Sequence, residues 1–133
     1  MGRKILAVVV GFIVASAVFM IFEMANSMVM APPSPEVMKD RAKLAEYMAN
    51  GPTLAYIVVL IGYIIGSFAG GFIVTKMGRR WSPGATLAII VGSLLTLAMV
   101  ANIMSVPGQP LWFIIASLLT FIPVTLIGHR FAR

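Results

Sequence analysis

Glu23 is the one acidic residue inside an apolar run, and its position is the strongest chemical signal in the chain. An ionisable group near the centre of a membrane helix costs at least ~2.5–3.5 kcal/mol, so it is kept for a task or for a partner. It follows Lys4 by nineteen residues, which at ~1.5 Å per residue puts it about 28 Å along a helix, near the far edge of a ~30 Å hydrocarbon core. Asn26 and Ser27 share its helical face, and Ser16 lies two turns earlier on that face. Tyr56 and Asn102, near the ends of two other apolar runs, fall at a similar depth. A polar cluster of Glu23, Asn26, Tyr56 and Asn102 is therefore expected at one end of the molecule. Its chemistry is either proton or ion handling at the carboxylate, or a structural knot tying helix ends to a loop through Lys39, Arg41 or Lys43.

The remaining reactive side chains offer less. Tyr63 lies in the middle of an apolar run, where a buried hydroxyl needs a partner such as a neighbouring carbonyl or Thr96. His129, alone between Gly128 and Arg130, reads as a solvated anchor, and metal binding would need partners that are not nearby. The ten methionines are spread along the chain and read as packing filler. Cysteine is absent, which removes disulfides, thiol nucleophiles and cysteine-ligated metals together. There is no nucleophile–base pair, no carboxylate pair on one helix and no phosphate loop, while Glu23 and His129 lie at opposite faces. No enzymatic activity, catalytic residue, metal or cofactor is expected.

The elements that must position Glu23 are membrane helices. Hydrophobic residues make up 60% and charged residues 11% of the chain, against about 45–50% and 25% in soluble domains. The 133 residues suffice for a single domain of four apolar spans. The formal charge of +6 does not imply nucleic acid, because the basic residues sit at the ends of apolar runs, where a bilayer surface is the partner.

We expect transmembrane helices over about 5–30, 54–75, 83–104 and 111–128, in an all-α up-down bundle, with a short amphipathic helix over about 35–49. Met1-Gly2-Arg3-Lys4 followed by an apolar run resembles a secretory signal. However, Val18–Phe22 carries the run past the Ala15-Ser16-Ala17 site, so an uncleaved first helix is expected. Pro32-Pro33-Ser34-Pro35 stops this helix, with Ser34 as the cap of the loop helix, and Ser82-Pro83 repeats that chemistry before the third span. Pro107-Gly108-Gln109-Pro110 forms an uncharged turn. Pro123 removes one backbone hydrogen bond from the last helix, and a kink is expected there.

Small residues recur every four positions. Gly62, Gly66 and Gly70 form a bare ridge in the second span, which we take as the centre of the fold. Gly11 and Ala15 in the first span, and Gly84, Ala88 and Gly92 in the third, are further packing positions. Lys76, Arg79, Arg80, Trp81 and Trp112 are expected at membrane interfaces. Seven of the ten lysines and arginines lie at the N-terminus, the 76–80 turn and the C-terminus. This bias predicts both termini on the cytoplasmic side.

Gly71-Phe72-Ile73-Val74-Thr75-Lys76-Met77-Gly78-Arg79-Arg80 resembles the cytoplasmic turn motif of major facilitator transporters. Thr75 stands where that family has an aspartate, and four spans replace twelve, so the resemblance implies a tight basic turn and no function. The chain as a whole resembles small uncharacterised bacterial four-helix inner-membrane proteins. The shared pattern is a late Glu in the first helix, Pro-Pro-x-Pro in the loop, a glycine-zipper second helix and Pro-x-x-Pro-Leu-Trp opening the last. That resemblance implies architecture and a bacterial inner membrane only. Two functions are carried forward. The first is a packing or accessory subunit of a homo-oligomer or larger membrane complex, argued from the excess of small-residue faces. The alternative is a small proton- or cation-coupled transporter or channel using Glu23.

Overall fold

A computed structural model describes residues 2–31, 33–82 and 84–133; Met1, Pro32 and Pro83, and the roles read for the two prolines, lie outside the described residues. The elements are α1 (Gly2–Asn26), α2 (Pro35–Lys39), α3 (Arg41–Ala49), α4 (Thr53–Gly78), α5 (Thr86–Ser105) and α6 (Leu111–Ala132). The molecule is all-helical, and α1, α4, α5 and α6 are each long and apolar enough to span a membrane. α1 and α5 run one way, α4 and α6 the other. The chain termini lie together with the α4–α5 turn: Arg3 stacks over Trp81 at 5.7 Å, and Arg79 Nη1 donates to the Ala132 carbonyl at 3.2 Å.

α4 is the centre of the bundle, packing against α1, α6 and α5. Its Gly62, Gly66 and Gly70 are buried against α1. A Cβ on Gly70 would lie 3.0 Å from the Gly11 carbonyl oxygen, and one on Gly11 would lie 3.0 Å from the Gly70 carbonyl. At Gly66 the opposing atoms are the Ala15 carbonyl and the Phe19 ring, while at Gly62 the Phe22 side chain fills the space. Backbone meets backbone only over the lower two glycines of the ridge. Beside it runs a second bare face, Gly71 against the Thr125 backbone and Gly128 of α6 against the Phe68 carbonyl. A Cβ on Gly92 would lie 3.0 Å from the Ile122 Cα, and Ala88 is buried.

The helix boundaries differ from expectation for local reasons. α1 stops at Asn26 rather than near residue 30, because the Ser27 hydroxyl turns back to the Met24 carbonyl at 2.6 Å and the Asn26 carbonyl takes two turn amides. The loop helix is two helices. Asp40 adopts extended dihedrals and accepts from the Ala42 and Lys43 amides at 3.0 and 3.3 Å, ending α2 and capping α3. Ser34 caps α2 as expected, accepting from the Val37 amide at 3.4 Å.

α4 runs to Gly78 and α6 to Ala132, past the ends expected near 75 and 128. Gly78 and Gly128 serve close packing on Leu87 and Phe68, and among the described residues only Gly108 has a positive φ, +87°, under the Ala45 backbone. α5 starts at Thr86, so Gly84 lies in the preceding turn, exposed, with nothing within 4 Å of an added Cβ. It is not a packing position. α6 continues through Pro123 as one helix, and Thr120 bonds to the Ala116 carbonyl at 2.7 Å rather than to the carbonyl that the proline frees.

Candidate functional site: a cavity at the loop end

Glu23 sits on the last full turn of α1, one turn beyond Phe19, and Asn26 follows three residues on. Tyr56 lies in the first turns of α4, Asn102 near the end of α5, and Gln109 in the turn before α6. These five side chains line one cavity of ≈ 280 Å³, over which α3 places Leu44 and Met48. Leu44 is the only buried residue of the two short helices. The floor is aromatic. Tyr63 packs edge-on to Phe19 at 5.0 Å and lies 5.3 Å from Phe121 and 6.0 Å from Phe113.

The hydrogen bonding decides what this cluster is. Glu23, Asn26, Tyr56 and Asn102 share the cavity but do not bond to one another. Tyr56 donates to the Met48 carbonyl, Asn102 Nδ2 approaches Met99 Sδ at 3.8 Å, and Gln109 Nε2 donates to the Val106 carbonyl at 3.2 Å. Asn26 Oδ1 and Gln109 Oε1 are buried acceptors without a partner, an arrangement that costs about 1–3 kcal/mol per group when nothing fills it. Among the described residues no lysine or arginine pairs with Glu23. The tie between bundle and loop runs elsewhere: Tyr56 to Met48, and Tyr47 to the Ala31 carbonyl. These two tyrosines do the fastening that Lys39, Arg41 and Lys43 were expected to do.

Glu23 also faces two neighbouring spaces. One, of ≈ 190 Å³, opens between α1 and α5 and shares Tyr63 and Asn102. The other, of ≈ 210 Å³, lies under the loop beside Ser27 and Tyr47. None of the three spaces reaches Ser67, which is fully buried one turn beyond Tyr63 with an unpartnered hydroxyl, as is Ser117 on α6. One polar position, Ser67, thus lies past the aromatic floor, which closes it off from the cavity. Among the described residues no three histidine or acidic side chains gather as metal ligands, so Glu23 offers a single negative charge.

Two other readings change. The Tyr63 ring is held among aromatics, and Thr96 is not its partner, since that hydroxyl donates to the Gly92 carbonyl at 2.8 Å. His129 is no solvated anchor. It is buried between α4 and α6 with Nδ1 2.8 Å from Thr75 Oγ1, at the position where the transporter motif carries its acid. Trp81 is exposed at the terminal end between Arg3 and Arg80, and Trp112 is exposed at the loop end beside Tyr56. Sequence reading missed Gln109 and Tyr47, whose roles depend on how the loops fold over the bundle. The Gly70-Gly71 pair was the available signal for the second bare face, since adjacent glycines on a helix open two sides at once. No family model, curated protein or solved structure matches the chain.

Proposed function

We propose that this multi-pass membrane protein binds a cation at Glu23 and works as a small cation- or proton-coupled transporter, without enzymatic activity. One observation carries the reading. The sole carboxylate of the four spans lines a loop-end cavity beside two buried oxygen acceptors, Asn26 Oδ1 and Gln109 Oε1, that have no partner among the described residues. A cation supplies what that constellation lacks, a positive charge and coordination or donor capacity. The unpartnered Ser67 hydroxyl, one turn beyond Tyr63, supports passage further down the bundle once the aromatic floor moves.

The accessory-subunit reading drew on small-residue faces in excess of one bundle's needs. Gly11, Gly66 and Gly70 are used between α1 and α4, Gly71 and Gly128 between α4 and α6, and Gly92 between α5 and α6. These faces call for no second subunit. The distribution of lysine and arginine supports both termini cytoplasmic, so that the cavity faces outward, and the resemblance to small bacterial four-helix proteins supports an inner membrane.

The test is flux. Purified protein reconstituted in vesicles should move protons or a monovalent cation down an imposed gradient. Glu23→Gln should lower that flux at least about tenfold while leaving helix content and thermal midpoint intact, the change in charge costing roughly 1.4 kcal/mol or more of cation affinity. Wild-type vesicles that pass neither protons, sodium nor potassium above the empty-vesicle rate would remove the proposal.

A further inference from the structure

A second cleft lies at the opposite end of the molecule, in the seam between α1 and α5. It holds ≈ 320 Å³, with Val8 and Val9 of α1 facing Leu87 and Ile90 of α5. Its wall is apolar except at the end nearest the termini, where Lys4, Ser82 and Thr86 line it. Lys4 is half-buried, the second residue to follow Gly2 at the start of α1. The α1–α5 seam is the most loosely packed pairing among the four spans, so the cleft opens sideways into the bilayer.

The charge around this cleft has no counterpart in the chain. All four acids, Glu23, Glu36, Asp40 and Glu46, lie at the loop end, whereas seven basic side chains crowd the terminal end. Two of these, Arg3 and Arg80, stand over the Trp81 ring at 5.7 and 6.0 Å beside the cleft's mouth. An occupant must therefore bring negative charge to the mouth and an aliphatic chain to the walls, and must arrive from the membrane.

We infer that the α1–α5 cleft is a binding site for one anionic phospholipid, its phosphate at Lys4 and Ser82 and an acyl chain along Val8, Val9, Leu87 and Ile90. Basic pockets between membrane helices on the positively charged side hold lipid headgroups by this combination of charge and apolar shape. The site shares no residue with the Glu23 cavity.

The test uses the full chain in detergent, with dioleoylphosphatidylglycerol as probe and dioleoylphosphatidylcholine as its zwitterionic match, read by native mass spectrometry and by the thermal midpoint. One phosphatidylglycerol per chain should be retained and should raise the midpoint more than phosphatidylcholine does. Lys4→Gln should weaken that binding about fivefold or more, whereas Lys76→Gln, an exposed cation at the same end but outside the cleft, should leave it within about twofold. Val9→Trp, which fills the cleft and keeps every charge, should abolish the retained lipid; if that variant does not fold, the two lysine variants still decide. Equal retention of both lipids, equal loss in Lys4→Gln and Lys76→Gln, or full competition by inorganic phosphate would each overturn the inference.

Discussion

Glu23 and the two tyrosines near it divide the work at the loop end. Glu23 makes no ion pair among the described residues, and Asn26 Oδ1 and Gln109 Oε1 are likewise unpartnered, so these groups add nothing visible to stability. Tyr47 and Tyr56 instead fasten the loop, each donating its hydroxyl to a backbone carbonyl. Tyr56→Phe should therefore destabilise the protein by about 1 kcal/mol, measured as a shift in a denaturant titration followed by circular dichroism, with a comparable effect for Tyr47→Phe. No shift in either would mean that Leu44 alone holds α3 down. Helix-length arithmetic places Glu23, Tyr56 and Asn102 at one depth before any fold is known, and all three line the same cavity. Depth is legible because a helix rises by a fixed amount per residue. Rotation and partner are not, which is why His129 reads as solvated in sequence and is buried on Thr75 in the fold.

At the level of elements, α4 works as a two-sided spine. Gly66 and Gly70 admit the α1 backbone, and Gly71 admits α6 at Thr125. Leucine at either face has nowhere to go, since the opposing atoms are carbonyls or a ring already in contact. Gly66→Leu and Gly71→Leu should each lower stability by about 1–3 kcal/mol or prevent folding. Gly84→Leu, with open space around it, should stay within about 0.5 kcal/mol. A Gly66→Leu variant melting like wild type would mean that α1 does not seat on this ridge in the membrane. The four spans were legible from hydropathy alone, because an apolar run of about 20 residues satisfies its own backbone polar groups in hydrocarbon as a helix. Their ends were less so. Asp40 capping α3 and Ser27 closing α1 are side-chain choices among several local options, and the glycines near the ends of α4 and α6 serve packing on Leu87 and Phe68.

The whole molecule is polarised. Acids and the Glu23 cavity occupy one end, and cations with the apolar α1–α5 cleft occupy the other. The cleft and the smaller space beside Glu23 lie along the loosest helix pairing, α1–α5, while the tightly packed α1–α4 and α4–α6 pairs form the rigid half. A floor of Phe19, Tyr63 and Phe121 separates the cavity from Ser67, so movement at the α1–α5 seam is the economical way to connect them. The absence of cysteine leaves carboxylates as the natural chemical handles, and Glu23 is the only one in the spans. The most direct measurement is flux through reconstituted vesicles before and after dicyclohexylcarbodiimide, an apolar reagent that caps carboxyl groups, has modified Glu23 to completion as judged by peptide mass spectrometry. Flux should fall to the empty-vesicle rate in step with the modified fraction, and the transported cation should slow the modification. Undiminished flux from fully modified protein would contradict a cation site at Glu23.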